Sequence, residues 1–155
     1  MCCVTVCSPP STSPPEARAL DGEHLIVDGM NVIGSRPDGW WRDRDAAVRR
    51  LAADLGRLAA DGTLVSLVLD GRPLPDLPAG RHEGVVVHYG GRGRDAADHR
   101  IVELLEEQAP AGRAGAEAIV VTADRILRGR VQALGAVVIG TSALRRRLQA
   151  SPPTA

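Results

Sequence analysis

The chain has 155 residues, with 19 basic and 19 acidic side chains in balance. That is the length of one ordinary domain, and zero net charge leaves no global field to draw in a polyanion, so any nucleic-acid affinity has to come from local clusters. Cysteines confined to positions 2, 3 and 7 argue against a disulfide-stapled secreted domain and fall short of a four-ligand zinc site.

The N-terminus lacks both the basic region and the long apolar run of a signal peptide, and no segment is apolar for long enough to span a bilayer. A cytoplasmic protein with no membrane partner is the expectation. All 19 basic residues are Arg, and Phe is absent, so the core has to be built from Val, Leu, Ile and Ala. Residues 1–22 are rich in Pro, Ser and Thr; such a stretch cannot bury enough apolar surface to order itself and reads as a disordered leader. Residues 151–155 read as a disordered tail, which leaves a single domain over residues 23–150.

In chain order, His24-Leu25-Ile26-Val27-Asp28 is a first strand, and a loop over 34–42 holds Trp40 and Trp41. A helix follows over about 43–60, with Ala47, Val48, Leu51, Leu55 and Leu58 at helical spacing and Asp61-Gly62 as its stop. A second strand spans 64–69. The stretch 71–82 has three prolines and no periodicity, so it reads as a loop. A third strand over 84–88 leads through the glycine-rich 90–94 into a helix over 95–108, with Ala97, Ile101, Leu104 and Leu105 inward. After a loop at 110–115 come a strand at 118–122, a short helix at 124–133, a strand at 136–139 and a last helix at 142–150.

Continuously apolar strands that alternate with helices predict an α/β fold with a central, mostly parallel sheet of about five strands and helices on both faces, a three-layer sandwich. Right-handed crossovers then put every strand's C-terminal end on one rim, where ligands bind in such sheets. Asp28, Asp70 and the stretch from Thr122 to Asp124 converge there, and Asp95 and Asp98 in the first turns of their helix face the same rim. Clustered carboxylates repel each other unless a cation sits among them, and hard oxygen donors suit Mg²⁺ or Mn²⁺.

Each acid also has a purely structural reading. Asp28 and Asp70 precede glycines and can cap turns, Asn31 can do the same, and Asp95 and Asp124 suit helix N-termini. Five acids meeting five independent needs on one rim is a less economical account than one shared cation site. Competing motifs are missing: without Lys there is no standard phosphate-binding Walker loop, and there is no Gly-x-Ser-x-Gly elbow. Of the two tryptophans, at least one is expected in the core; the other could stack on an unpaired base, though stacking is the minority reading of an exposed Trp here.

The segments Asp28-Gly-Met-Asn-Val-Ile-Gly34, Leu69-Asp-Gly71, Arg94-Asp-Ala-Ala-Asp-His-Arg-Ile101 and Val121-Thr-Ala-Asp124 resemble the NYN domain, and more closely its YacP-like branch, which is related to PIN-type nucleases. The resemblance covers about residues 23–149. It implies a PIN-like sandwich and metal-dependent cleavage of RNA, with the YacP-like branch linked to ribosome-associated endoribonuclease activity. By position, Asp28, Asp70, Asp98 and Asp124 match the family's acidic site, Asn31 its polar partner, and Asp95 a position that is often acidic.

On this reading the chain is an endoribonuclease that hydrolyses single-stranded RNA (mRNA, tRNA or rRNA) with Mg²⁺ or Mn²⁺. Asp28 and Asp124 are expected as direct metal ligands, Asp98 as a ligand or water-orienting base, and Asp70 as a fourth acid. Asn31, Thr122 and Asp95 would line the substrate, and Arg72, Arg92 and Arg94 would hold flanking phosphates. The rival reading is a non-catalytic RNA- or ribosome-binding module. A phosphatase of aspartyl-phosphate type is disfavoured because position 30 is Met, which breaks the Asp-x-Asp pattern.

Overall fold

The first strand, β1 (His24–Asp28), is buried along Leu25, Ile26, Val27 and Asp28, as a strand flanked on both edges and covered on both faces must be. The computed structural model describes residues 24–107 and 118–151. The Cys-bearing leader at 1–22, the loop at 110–115 and residues 152–155 lie outside the described residues.

Five more strands complete the sheet: β2 (Leu64–Leu69), β3 (Gly80–His82), β4 (Val85–Tyr89), β5 (Ala118–Val121) and β6 (Val137–Ile139). Their order is β3-β4-β2-β1-β5-β6. All pairings are parallel except β3 with β4. The chain therefore builds outward from β1 through β2 to β4, returns to the other side of β1, and builds outward again through β5 to β6. The reversal falls between β1 and β5, the place where a ligand crevice forms in an open parallel sheet.

Five helices cover the two faces: α1 (Gly29–Gly34), α2 (Arg44–Ala60), α3 (Ala96–Glu107), α4 (Arg125–Ala133) and α5 (Thr141–Ala150). On one face α1, α2 and α5 pack Val32, Leu51, Leu55 and Leu144 against Leu25, Val27, Leu67 and Val121. On the other, α3 and α4 pack Ile101, Leu105, Leu127 and Val131 against Ile26, Val68 and Val120. Alternate residues of β1, β2 and β5 feed the two layers, as the two-residue period of a strand requires. The inward residues of α2 and α3 are those their spacing predicts. Among the described residues no helix is long and apolar enough to cross a membrane.

Two elements depart from the sequence reading. The segment 71–82, expected as a loop, ends in β3, which joins β4 through the two-residue turn Glu83-Gly84 and makes a hairpin edge. The sheet thus has six strands rather than five. And the turn expected after Asp28 is a helix, α1, which starts on the next residue.

The approach of α3 to the rim depends on Gly90. A Cβ there would lie 2.5 Å from the Ala96 carbonyl carbon and 2.7 Å from the Ala97 nitrogen. Only a bare backbone lets the end of β4 pass beneath the first turn of α3. Because both clashing partners are backbone, they cannot rotate aside. Gly90→Ala should therefore lower stability by about 3 kcal/mol, the upper end of typical overpacking costs, as read by urea denaturation. A loss under about 1 kcal/mol would show that α3 is free to shift.

Candidate functional site

Asp28 ends β1 and is only 6 % exposed. Its Oδ2 accepts a hydrogen bond from Thr122 Oγ1 at 3.2 Å. Thr122 immediately follows β5, so this bond spans the point where the strand order reverses. Thr122 is wholly buried, and its hydroxyl oxygen also accepts from Asp124 N at 3.1 Å. One turn along α1, Asn31 Oδ1 accepts from Ala123 N at 2.8 Å. Two bonds thus lace the end of β1 to the end of β5. The buried Thr122 sits beneath the rim and orients Asp28, out of reach of a molecule arriving from solvent.

The other acids lie around this point. Asp70, after β2, accepts from Ala97 N at 3.0 Å through Oδ1, so a residue from one loop caps a helix from another. Asp124 accepts from Ile126 N and Leu127 N through its Oδ1, the N-cap of α4. Both aspartates are structural caps, and each has a second carboxylate oxygen. Asp98 stands in the first turn of α3 and is half-buried. Asp95 is exposed, as is His99, whose Nδ1 bonds back to the Asp95 carbonyl at 2.7 Å.

Burial pushes the Asp28 carboxyl up to about 6; the hydrogen bond from Thr122 opposes the rise, and the charges of Asp98 and Asp70 add to it. Asp98 is raised as well, chiefly by desolvation and then by Asp124 and Asp95, with the charge of Arg130 on α4 pulling the other way. The acids are thus close enough to sense one another. Among the described residues, however, no three His, Cys, Asp or Glu side chains converge tightly enough to enclose an ion by themselves.

That arrangement does not fit structural zinc, which wants four protein ligands. It does fit Mg²⁺ or Mn²⁺ in donor chemistry: Mg²⁺ keeps several waters and is usually held by one or two carboxylates together with substrate phosphates.

Of the arginines expected to hold phosphates, Arg72 and Arg92 come together. Gly71 and Gly91 pair across the loops after β2 and β4, with Gly71 N donating to Gly91 O at 3.0 Å. The next residues, Arg72 and Arg92, therefore leave neighbouring points of the rim, and both are exposed. Arg94 is also exposed, two residues on.

Two arginines at the site were not singled out by sequence. Arg44 Nη2 donates to the Asp70 carbonyl at 2.8 Å and so ties the start of α2 to the rim. Arg130, on α4, is near enough to Asp98 for its charge to be felt there. Its position a turn and a half after Asp124, beside the inward Leu127 and Val131, is the signal that could have placed it next to α3.

A parallel sheet with acids on its C-terminal rim at the switch point is an α/β domain built to bind a ligand at that rim. The chain belongs to the YacP-like NYN domain family, whose model matches residues 25–154. Among solved structures it is similar to Rae1 (YacP) from Bacillus subtilis, with 23 % identity over 82 % of this chain and 74 % of that one and a TM-score of 0.61. A tryptophan-to-leucine variant of the same protein gives 22 % identity, 82 % and 75 % coverage, and a TM-score of 0.65. No functionally curated protein matches the chain.

The buried Asp28 makes a testable demand. A carboxyl raised from 3.8 to about 6 favours the folded state while protonated. That advantage is complete below the unfolded value and is lost as pH rises through about 6. Above it, the ionised group costs roughly 3 kcal/mol. In EDTA, Asp28→Asn should therefore melt higher than wild type at pH 8, and the gap should close towards pH 4. Mg²⁺ or Mn²⁺ should raise the melting temperature of wild type at pH 8 and leave the variant unmoved. An equal response of both proteins to the cation would remove Asp28 from any metal site.

Proposed function

We propose that this protein is a metal-dependent endoribonuclease that hydrolyses single-stranded RNA at the acidic rim. The observation that carries the reading is the pair of a buried Asp28 and a half-buried Asp98 on the rim of a YacP-like NYN fold, both carboxyls raised by desolvation and by the charges of neighbouring acids. Two desolvated acids whose charge is only partly compensated by the protein suit a cation-dependent centre.

Asp28 and Asp98 would hold the cation, with the second oxygen of Asp124 completing the protein's share, and Asp70 keeps α3 in place beside them. When bound, Mg²⁺ or Mn²⁺ supplies Lewis acidity: it lowers the pKa of a water and neutralises charge on the scissile phosphate.

The chain's own groups do the rest. Thr122 fixes the Asp28 carboxylate through its donated hydrogen bond. Asp98, half-buried on the first turn of α3, would orient the attacking water through the carboxylate oxygen not engaged by the cation and take its proton, which passes to the leaving oxygen as its bond to phosphorus breaks. Arg72, Arg92 and Arg94 hold phosphates on either side of the cut, and Asn31 keeps its amide nitrogen for a strand lying along the rim. With no net charge on the chain, affinity for naked RNA is modest, and a ribosome that presents the RNA would supply the remainder. The site of action is then the cytoplasm.

A second reading, a non-catalytic RNA- or ribosome-binding module, draws on the capping roles of Asp70 and Asp124. Cleavage of a labelled single-stranded RNA, naked and on translating ribosomes, decides between them. With Mg²⁺ or Mn²⁺ the wild type should give products that vanish in EDTA. Asp28→Asn and Asp98→Asn should each lose at least about a hundredfold in rate while remaining folded. A folded wild type that cuts neither substrate would leave the binding module as the better account.

A further inference from the structure

We infer that Trp41 is a stacking platform for an unpaired base of the RNA strand, placed at the edge of the acidic rim. The inference rests on the RNA-directed reading above and adds to it the group that grips the substrate's bases.

Among the described residues four large apolar side chains are exposed: Trp41, Leu64, Ile126 and Val137. Leu64 and Val137 begin β2 and β6 and so lie at the end of the sheet away from the rim. Trp41 and Ile126 lie at the rim end, and Trp41 is the aromatic one, 61 % exposed. A single exposed apolar side chain is ordinary on a protein surface; what sets Trp41 apart is a rigid aromatic face beside the acidic rim and its arginines.

Its surroundings define that occupant. Trp41 sits in a one-turn 3₁₀ helix, Trp40–Arg42, directly before α2. Trp40 is half-buried against the core, and the two rings meet edge to face, with centroids 6.2 Å apart and planes at 83°. The turn is closed by Arg42 N donating to Gly39 O at 3.0 Å and Asp43 N donating to Trp40 O at 3.2 Å. Asp43 then caps α2 by accepting from Ala46 N at 3.0 Å. Three residues after Trp41, Arg44 is bonded to the Asp70 carbonyl. The exposed ring is thus braced from below by a second indole and tethered to the acidic rim by a short, hydrogen-bonded segment.

A flat face held rigid suits a flat partner, and every nucleobase presents a π-face. The exposed Arg42 beside it, and Arg72 beyond Asp70, supply positive charge for the phosphates of the same strand. A base paired in a duplex already has both faces covered, so the platform selects unpaired strands.

The test uses Trp41 as its own reporter, in EDTA so that no strand is cut. Single-stranded oligoadenylate titrated into the full chain should quench the indole emission. The same sequence in a duplex, or an abasic strand of equal charge, should leave it unchanged. Trp41→Ala should lose the quenching and weaken oligoadenylate binding by about tenfold, and Trp41→Phe should recover part of the affinity. Circular dichroism checks that both variants keep the fold.

If Trp41→Ala binds oligoadenylate as tightly as wild type, the platform is overturned, whether or not the wild type cuts RNA with Mn²⁺. If no strand quenches the wild type, the exposed ring belongs to a protein contact instead and the inference fails. Quenching with no cleavage under any condition would uphold the platform and sink the nuclease reading, so the two claims fail separately.

Discussion

A carboxylate buried where the strand order reverses is the constraint around which this site is organised. Asp28 ends the central strand β1 with β2 on one edge and β5 on the other, so its surroundings are set by the middle of the sheet. Burial at that position favours the neutral acid, and the hydrogen bonds from the Thr122 hydroxyl and the Asn31 backbone compensate only part of the cost. The negative charges of Asp98 and Asp70 make it worse. A sequence under pressure for stability alone would put an apolar residue or an amide here. Keeping an acid makes sense if a cation or a proton transfer uses it, and that is the physical core of the functional reading.

The remaining rim acids divide by what else they do. Asp70 and Asp124 hold helix starts: the first caps α3 from a neighbouring loop, and the second caps its own helix, α4. Capping and ligation are compatible, since the backbone amides engage one oxygen of each carboxylate. It follows that neither residue alone distinguishes an enzyme from a binding module, because replacing either would also loosen a helix. Asp28 and Asp98 carry the distinction, because Asp98 accepts no hydrogen bond among the described residues and the bonds Asp28 accepts from Thr122 and the Asn31 backbone offset only part of its burial. Asp70 also couples the two halves of the site: by fixing the first turn of α3 it sets where Asp98 stands relative to Asp28.

What the sequence made legible follows from period and punctuation. The parallel strands are continuously apolar, α2 and α3 keep helical spacing, and an Asp after an apolar run marks a strand end, so the rim and its acids could be listed before any coordinates. The failures share one cause, which is brevity. Helix α1 has six residues, two of them Gly, and strand β3 has three, Gly80-Arg81-His82, too few for either period to appear. Nor could sequence show that Thr122 lies beneath Asp28 or that Asn31 reaches the backbone at Ala123, 92 positions along the chain. Those contacts depend on β5 returning to lie beside β1, which is a property of strand order. The same holds for Arg44 and Arg130: their helices were expected, while the partners they face were not.

On the nuclease reading an acidic rim has to receive an acidic polymer, an electrostatic problem that the fold answers by spreading its charges over the rim. Among the acids, the charge of Arg130 relieves Asp98 without cancelling it, and Arg44 is bonded to the Asp70 carbonyl. Arg72, Arg92 and Arg94 stand in solvent, apart from the buried Asp28 and half-buried Asp98, on loops that the Gly71–Gly91 pairing holds side by side. On the nuclease reading this separation has a purpose. Phosphates flanking the cut meet guanidinium groups, while the scissile phosphate meets carboxylates it can approach only with a cation between them. Cation and substrate would then bind in concert, each completing the other's site. That accounts for a rim whose acids stand near one another without closing into a cage of their own.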